Sequence, residues 1–286
     1  EELRGQVVLI DFWTYTCINC IRTFPFLKQW NSRYSDDGLV IVGVHSPEFE
    51  FEKDYDNVVE ATQNEAIAWT IAQDNDFVTW RGYNNRFWPA KYLIDKDGVV
   101  RYKHFGEGGY AETEGLIREL LAEADPNFLA NNLPLPEDQT VDPVFLTARD
   151  AEVTRELYGG YERGESDLLF GRGGYVQQMQ YFDSKDQVAN FSITEDHQPH
   201  KIYFEGAWHV GPESSTHGRV TESFEDYLAL VYSATSVNAV LTSDSGEPYK
   251  VRITVDDEYL TDSNKGSDII IGDDGEGYLW VTSPSL

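Results

Sequence analysis

The stretch DFWTYTCINCIRTFPF, residues 11–26, contains the only two cysteines of the chain, Cys17 and Cys20. The apolar run VVLIDFW ends just before them, and an amphipathic stretch continues beyond them to Tyr34. A short apolar run followed by a polar turn is typical of a buried strand, and the later pattern is typical of a helix. The sequence therefore predicts a strand, a turn that carries both thiols, and a helix that begins at the first thiol.

The cysteine pair has three interpretations. A thiolate in the first turn of a helix is stabilised by unpaired backbone N–H groups and by the positive end of the helix dipole. Cys17 lies at this place, and Cys20 lies one turn later, where its thiol can attack a mixed disulfide formed at Cys17. A structural zinc site needs four ligands, and the six histidines lie far from the two cysteines in sequence. The pattern favours a redox-active dithiol without a metal ion, and two inert buried cysteines are the remaining alternative.

The amino-acid composition limits the classes of partner that the protein can bind. The chain has 286 residues and a formal net charge of −28, which repels nucleic-acid phosphates and anionic membrane surfaces. Nucleic acid is therefore not an expected partner. No apolar run reaches the ~20 residues of a membrane-spanning helix. The first residues, EELRGQVVLIDFW, lack an initiator methionine and pass almost at once into a strand, so we expect a piece of a longer protein.

Residues 1–126 alternate between strand-like and helix-like runs. LVIVGVH predicts a second strand, residues 52–66 a helix, and Ala111 to Ala124 a final helix. In KYLIDKDGVVRYKHF, the dipeptide Asp97-Gly98 separates two strand-like runs, which is a strong hairpin pattern. A hairpin after strand–helix units predicts an α/β domain with a mixed central sheet and helices on both faces.

The composition and the hydrophobic pattern of the sequence change after residue 126. Residues 127–145 are rich in proline and predict a connection between domains. Residues 146–286 contain short alternating runs separated by Gly, Asp and Ser, which predict an antiparallel all-β sandwich. The predicted strands lie in HKIYFEGAW, DYLALVYSA, NAVLTSD, YKVRITVDD and SDIIIGDD.

The first domain resembles thioredoxin-fold proteins at its active-site strand and turn. Asp11 matches their buried acid, Pro25 matches the proline within their active-site helix, and Pro89, after Trp88, matches their cis-proline. The resemblance implies that Cys17, Cys20, Asp11 and Pro89 are catalytic. Burial in so apolar a run would raise the pKa of Asp11 and suit its carboxylate to accept a proton from Cys20.

The resemblance can be narrowed to one branch. DFWTYTCINC, GVHSPEFEFE, FWPAKYLIDKDG and GEGGYAETE are together similar to the redoxins that include TlpA-like oxidoreductases and the extracytoplasmic part of DipZ-type proteins. In that family a domain resembling carbohydrate-binding modules follows. Residues 146–286 look similar to it through TRELYGGYERG, FEGAWHVG and GDDGEGYLWV, which implies a sandwich of the jelly-roll type. The resemblance implies an extracytoplasmic thiol-disulfide oxidoreductase that acts on protein dithiols and disulfides and needs no cofactor. It also implies a membrane CcdA-like electron donor and a role in electron transfer or cytochrome biogenesis.

Two departures from thioredoxins affect the redox chemistry. Thr16 stands where thioredoxins usually carry tryptophan, and Ile18-Asn19 is neither the Gly-Pro of thioredoxin nor the Gly-His of disulfide isomerases. The pair between the cysteines strongly affects the reduction potential, which spans about −270 to −120 mV among thioredoxin-fold proteins. The sequence therefore leaves open whether the protein reduces or oxidises its partners.

Five further residues are candidates for the substrate groove: Trp13, Trp88, His45, Glu48 and Glu107. His45 and Glu48 follow a strand at the end where active-site loops of such folds gather, although an ordinary structural role is the alternative for His45. Trp88 is bulky and would narrow the groove beside the proline. Glu107 would either assist proton transfer or fix the glycine-rich turn FGEGGY.

In the second domain, an aromatic platform for sugar rings would consist of Trp208, His209, Tyr278 and Trp280, which makes a glycan a further candidate partner. Packing of these side chains in the core of the sandwich is the alternative. Two other functional classes also fit parts of the chain: a binding module with a vestigial dithiol, and a peroxidase. The CxxC pattern at a helix start favours disulfide exchange over a peroxidase.

Overall fold

The computed structural model contains two compact units: the first lies within residues 1–142, 238–249 and 281–286, and the second within residues 143–237 and 250–280. The predicted connection, residues 127–145, lies outside the described residues except at 127, 128 and 135, so the domain boundaries stay a prediction. The structure describes residues 2–128, 135, 153–164, 166–167, 172–193, 196–243 and 245–282.

A five-stranded mixed sheet forms the centre of the first unit. Its strands are β1 (Val7–Trp13), β2 (Leu39–His45), β3 (Thr70–Gln73), β4 (Ala90–Ile94) and β5 (Val100–Phe105). The order across the sheet is β3-β2-β1-β4-β5. β1 pairs in parallel with β2 and antiparallel with β4, and all seven of its residues are buried. A run as apolar as VVLIDFW is thus stabilised by contacts on both faces.

Helices cover both faces of this sheet, as predicted. They are α1 (Ile18–Tyr34), α2 (Tyr55–Asn64), α3 (Val78–Gly82) and α4 (Tyr110–Ala124), and a 3₁₀ turn spans Glu50–Lys53. Leu9, on one face of β1, packs in a cluster with side chains of α1 and α4. Phe12, on the other face, contacts Trp80 of α3 edge-on at 5.7 Å. Within the described ranges, no helix has both the length and the apolar character needed to cross a membrane.

The hairpin prediction is confirmed, and the helix predicted over residues 52–66 is present as the shorter α2, preceded by a separate 3₁₀ turn. β4 and β5 pair antiparallel, and Gly98 lies between them with a φ of 80°, a conformation that favours glycine. Asp54 accepts the N–H groups of Asp56 at 2.8 Å and Asn57 at 3.3 Å, so it caps α2 and separates that helix from the 3₁₀ turn. Sequence periodicity also missed β3 and α3, which are only four and five residues long.

A buried carboxylate joins α1 to α4. The side chain of Glu114 is fully buried and accepts hydrogen bonds from Trp30 at 3.0 Å, Arg33 at 3.0 Å, Tyr34 at 2.5 Å and Arg118 at 2.5 Å. Burial raises the pKa of Glu114, but the bonds from Tyr34, Arg118 and Trp30 outweigh it, so the net shift is downward. The carboxylate therefore stabilises the packing of the two helices in its ionised form.

We expect Glu114→Gln to lower the free energy of unfolding of the first unit at pH 7 by about 2–4 kcal/mol, because two arginines lose their buried counter-ion. The folded pKa lies below the unfolded one, so this stabilisation is present above the unfolded pKa and is lost as pH falls through the folded pKa. Denaturant unfolding measured from neutral to acid pH should show the gap between wild type and variant shrinking. Glu119→Gln, at an exposed position of α4, is the control; an equal effect of the two variants would contradict this role.

The second unit consists mainly of antiparallel strands, which confirms the predicted all-β class. The strands are β6 (Ser166–Asp167), β7 (Arg172–Gly173), β8 (Val188–Phe191), β9 (Lys201–Val210), β10 (Ser215–His217), β11 (Tyr227–Val231), β12 (Tyr249–Val255), β13 (Glu258–Tyr259), β14 (Ile270–Ile271) and β15 (Gly277–Val281). Two short helices, α5 (Tyr161–Gly164) and α6 (Met179–Asp183), accompany them.

Two sheets contain most of these strands. β9 is paired with β8, β10 and β11, and a second sheet has the order β13-β12-β15-β14. Buried Tyr181, Phe191 and Phe204 form part of the core of the second unit.

Two strand predictions in this region need correction. NAVLTSD forms no strand over its described residues 238–243: residues 238–240 are exposed, and Leu241 is half-buried and forms only an isolated bridge. SDIIIGDD shrinks to the two residues of β14. DYLALVYSA and YKVRITVDD contain β11 and β12, as predicted, and HKIYFEGAW forms most of β9, which continues to Val210.

Candidate active site

Cys17 is the N-cap residue of α1. Its backbone is extended, with φ of −80° and ψ of 102°, and its Sγ accepts the backbone N–H of Cys20 at 3.2 Å. Helix N-caps usually use oxygen for this bond, and here sulfur takes that place. The arrangement follows from the fold, since β1 ends at Trp13 and the loop after it leads directly into the helix. Cys17 is partly exposed, so a substrate can reach its thiol.

Cys20 lies one turn into the helix and is completely buried. Burial, followed by the hydrogen bond and the charge of Cys17, raises the pKa of the Cys20 thiol well above its usual range. Both cysteines are free thiols in this structure. Cys20 therefore holds its proton at neutral pH and needs a base before it can attack a disulfide. In the part of the chain that the structure describes, no group of three or more His, Cys, Asp or Glu residues is placed to hold a metal ion.

Asp11 is 1% exposed at the centre of β1 and forms an ion pair with Lys91 of β4, with Nζ 3.2 Å from Oδ1. The two residues face each other in the register of the antiparallel strands. Burial raises the pKa of the Asp11 carboxyl, and Lys91 opposes this shift without cancelling it. The charge of Asp11 is among the causes that raise the pKa of Cys20, which places the carboxyl within electrostatic reach of that thiol.

Lys91 is a site residue that the sequence analysis did not identify. It is 1% exposed, although lysine is almost never buried without a partner. Side chains alternate along a strand, so Lys91 lies on the same face of β4 as the buried Leu93. This alternation is the sequence pattern from which the burial of Lys91 could have been predicted. Its pairing with Asp11 depends on the register between β1 and β4, and the sequence does not specify that register.

The peptide bond between Trp88 and Pro89 is cis, as predicted. Ala90 pairs with Phe12, so Pro89 lies at the end of β1 from which the loop to Cys17 begins. Trp88 donates its indole N–H to the carbonyl oxygen of Ser46 at 3.0 Å. The structure thus brings the proline and the dithiol to the same end of the sheet.

Glu52 is a second residue that the sequence analysis did not single out. Its carboxylate is fully buried and accepts two hydrogen bonds from Thr16, from Oγ1 at 2.6 Å and from the backbone N–H at 3.3 Å. Thr16 is the residue directly before Cys17. Glu52 also accepts the backbone N–H groups of Phe49, at 3.0 Å, and of Glu48. Glu52 lies in a polar stretch that was predicted to be helical, and no sequence pattern indicated that its side chain would bind Thr16.

Comparisons with known proteins agree with this geometry. A family model described as thioredoxin-like matches residues 5–100, and one described as a thioredoxin-like C-terminal domain matches residues 154–284. The thiol-disulfide oxidoreductase YkuV of Bacillus subtilis is 30% identical over 126 residues, which cover 44% of this chain and 84% of YkuV. The chain belongs to the thioredoxin-like family.

Within this thioredoxin-like family, the predicted relationship to DipZ is confirmed. Protein DipZ of Mycobacterium tuberculosis is 45% identical over 189 residues, which cover 66% of this chain and 26% of DipZ. The chain thus spans about a quarter of the length of that relative. A solved structure described as a thioredoxin-like protein in the oxidized form is 30% identical, with coverage of 41% of this chain and 79% of that one and a TM-score of 0.38.

Two of the predicted groove residues, Trp13 and His45, lie in the core of the thioredoxin-like unit. Trp13 packs edge-on against Phe24 at 5.4 Å and against His45 at 5.1 Å. His45 Nε2 lies 3.3 Å from the hydroxyl of Thr14. Burial lowers the pKa of His45 to about 4, so its imidazole is neutral at pH 7. These contacts correspond to the structural role considered for His45, and substrate contact stays a prediction.

Glu48 and Glu107 lie on different loops of the same unit. The backbone N–H of Glu48 donates to Glu52, and the Glu48 side chain is half-buried. The Glu107 carboxylate lies 3.5 Å from Nη1 of Arg22, two residues beyond Cys20 on α1. Its backbone oxygen lies 3.1 Å from Nε2 of His104. Glu107 therefore connects the glycine-rich turn to the active-site helix, which fits the structural alternative, and its part in proton transfer stays a prediction.

The four candidate sugar-binding residues of the second unit lie on two different sheets. Trp208 and His209 belong to β9, while Tyr278 and Trp280 belong to β15. Tyr278 is buried beneath Lys250, whose Nζ is 3.1 Å from the ring centroid. Trp280 is 53% exposed. Of the two residues on β15, only Trp280 presents an open aromatic surface, and glycan binding stays a prediction.

The Asp11–Lys91 pair predicts opposite effects for two neutralising changes. The folded pKa of Asp11 lies above its unfolded value of about 3.9, so the ionised carboxyl costs stability at neutral pH. Asp11→Asn should therefore raise the free energy of unfolding at pH 7, and the gain should vanish as pH falls below about 3.9. Lys91→Met should lower it by about 3 kcal/mol, because the Asp11 carboxylate loses its buried counter-ion.

The double variant Asp11→Asn/Lys91→Met completes the thermodynamic cycle. We expect Lys91→Met to lower the free energy of unfolding much less in the Asp11→Asn background than in the wild type, measured by denaturant unfolding of the reduced protein at pH 7. Additive effects of the two single changes would show that Asp11 and Lys91 do not interact.

Proposed function

We propose that this chain is a thiol-disulfide oxidoreductase that exchanges electrons with cysteines of other proteins through Cys17 and Cys20. The observation that carries the proposal is the position of Cys17 at the N-cap of α1, with its Sγ accepting the N–H of Cys20 and with Cys20 buried behind it. The backbone N–H groups of the first turn stabilise negative charge on the Cys17 sulfur, which is the nucleophilic form.

In the reducing direction, the Cys17 thiolate attacks a sulfur of the substrate disulfide. One S–S bond breaks as a mixed disulfide forms, and the first substrate thiolate leaves. Cys20 then loses its proton and attacks the Cys17 sulfur, so that the Cys17–Cys20 disulfide forms and the second substrate thiolate leaves. Two electrons pass from the dithiol to the substrate, and the reverse sequence oxidises a substrate dithiol.

Asp11 is the proposed proton acceptor for Cys20. The raised pKa of Cys20 means that its attack needs a base, and the raised pKa of Asp11 makes its carboxylate a stronger base than a surface aspartate. Asp11 is also within electrostatic reach of the thiol. Lys91 holds this carboxylate from the opposite strand.

The proposed place of action is outside the cytoplasm, where protein disulfides form and need correction. The similarity to DipZ supports this placement. A membrane CcdA-like electron donor and a role in electron transfer or cytochrome biogenesis are proposed from the family resemblance alone. The partners are protein dithiols and disulfides. A measured potential of the Cys17–Cys20 pair assigns the direction: a value near about −270 mV marks a reductant and one near about −120 mV an oxidant.

The order of attack predicts that the two cysteines are not equivalent. Cys17→Ser should abolish exchange, since only the thiol at the helix N-terminus is exposed enough to begin the reaction. Cys20→Ser should accumulate a mixed disulfide with a substrate protein, because the resolving thiol is missing. Non-reducing electrophoresis and mass spectrometry of the trapped species measure this difference. Equal trapping by both single variants would refute the assigned roles.

The proton acceptor can be tested by single-turnover kinetics. Asp11→Asn should slow the resolution of the mixed disulfide by about 100-fold or more, since positioned proton transfer contributes roughly 10²- to 10⁴-fold to such steps. The first attack by Cys17 should change much less. Stopped-flow fluorescence during substrate reduction separates the two phases. If resolution proceeds at the wild-type rate, Asp11 is not the base.

A further inference from the structure

Glu52 makes contacts that the chemistry described so far does not use. It lies in the 3₁₀ turn Glu50–Lys53, and its side chain reaches the loop before the active-site helix. Oε1 accepts both donors of Thr16, and Oε2 accepts the N–H groups of Glu48 and Phe49. The bonds from Glu48 and Phe49 cap the 3₁₀ turn. The two bonds from Thr16, 36 residues away in sequence, do not cap this turn and instead connect it to the loop before Cys17.

The contacts favour the ionised form of this carboxyl group. Two backbone N–H groups before the turn, together with the N–H and hydroxyl of Thr16, point at the two oxygens, and an ionised carboxylate accepts all of these bonds. Burial raises the pKa of Glu52, and the hydrogen bonds from Thr14, Thr16, Phe49 and Glu48 oppose this shift without cancelling it. When the group is ionised, these bonds hold its negative charge beside the residue that precedes the attacking cysteine.

The neighbouring titratable groups leave this charge uncompensated. The hydroxyl of Thr14 lies 3.3 Å from His45 Nε2 and also hydrogen-bonds to Glu52. Burial lowers the pKa of His45, so its imidazole is neutral at pH 7. Tyr15 stacks on His45 at 5.6 Å between ring centroids, and burial raises the pKa of its phenol, so it is also neutral. No ion pair involving Glu52 is found among the described residues.

We propose that Glu52 is a positioning residue for the dithiol: it fixes Thr16, and thereby the loop that orients the Cys17 thiol, and its charge disfavours the Cys17 thiolate. The inference rests on the proposed function and deepens it, because a less favourable thiolate destabilises the reduced protein relative to the disulfide. Glu52 then biases the Cys17–Cys20 pair toward giving electrons away. Thr16, which departs from thioredoxins at this position, supplies both donors that make the link.

The test uses Glu52→Gln, which keeps the size of the side chain and an oxygen acceptor but removes the charge. The first readout is the pH profile for alkylation of Cys17 by iodoacetamide in the reduced protein, followed by mass spectrometry. We expect its midpoint to move to lower pH by about one unit. The second readout is the equilibrium with glutathione at pH 8, which should shift about tenfold toward the dithiol, or about 30 mV. Glu50→Gln, an exposed position in the same turn, should change neither value.

Two further variants separate the charge from the hydrogen bond. Thr16→Val removes the hydroxyl donor and should lower the rate of exchange by about tenfold at a pH where Cys17 is fully ionised, while Thr16→Ser should retain it. If Glu52→Gln fails to fold, this pair decides the question, and equal rates overturn the proposal. If Glu52→Gln folds and its alkylation profile and glutathione equilibrium match the wild type, the proposal is overturned although the oxidoreductase function stands. Absence of exchange in the wild type would instead refute the proposed function.

Discussion

The burial of β1 on both faces is the constraint on which the first unit depends. A strand held between β2 and β4 has a fixed end, so the loop that follows it must deliver Cys17 to the start of α1. Pairing with β4 brings Pro89 to that same end and sets Lys91 opposite Asp11. One strand therefore determines the positions of the thiol, the proline and the buried acid.

Three buried carboxylates show three solutions to the same physical problem in a strongly acidic chain. Glu114 is surrounded by donors from aromatic and arginine side chains, and its pKa falls. Asp11 has a single lysine, and its pKa rises. Glu52 is bound by backbone and hydroxyl groups without a counter-ion among its described contacts. Only the first solution favours the charged form outright, and it lies between the helices, whereas the other two lie beside the dithiol.

Local patterns predicted the parts of the fold and site that depend on neighbours in sequence. Cys17, Cys20, the Asp97-Gly98 hairpin and the proline at 89 all follow from spacing or from matched motifs. Lys91 and Glu52 did not, because their partners depend on strand register and on the folding of a loop 36 residues away from Thr16.

The second unit shows a different limit of sequence interpretation. Alternation of apolar and polar residues identified β9, β11 and β12, but the same alternation in NAVLTSD produced no strand in its described residues. Alternation shows that a segment is able to present one apolar face. Whether a neighbouring strand and a core are available to receive that face depends on the rest of the fold.

The hydrogen bond at the start of α1 has a consequence for spectroscopy. The amide proton of Cys20 points at the Cys17 sulfur, and such a bond is stronger when the acceptor carries a negative charge. Ionisation of the sulfur, its capture in a mixed disulfide and its closure into a ring with Cys20 each leave a different acceptor in front of the same proton. The chemical shift of the Cys20 amide therefore reports the chemical state of the Cys17 sulfur without an attached probe. The geometry of the helix cap places this amide proton there.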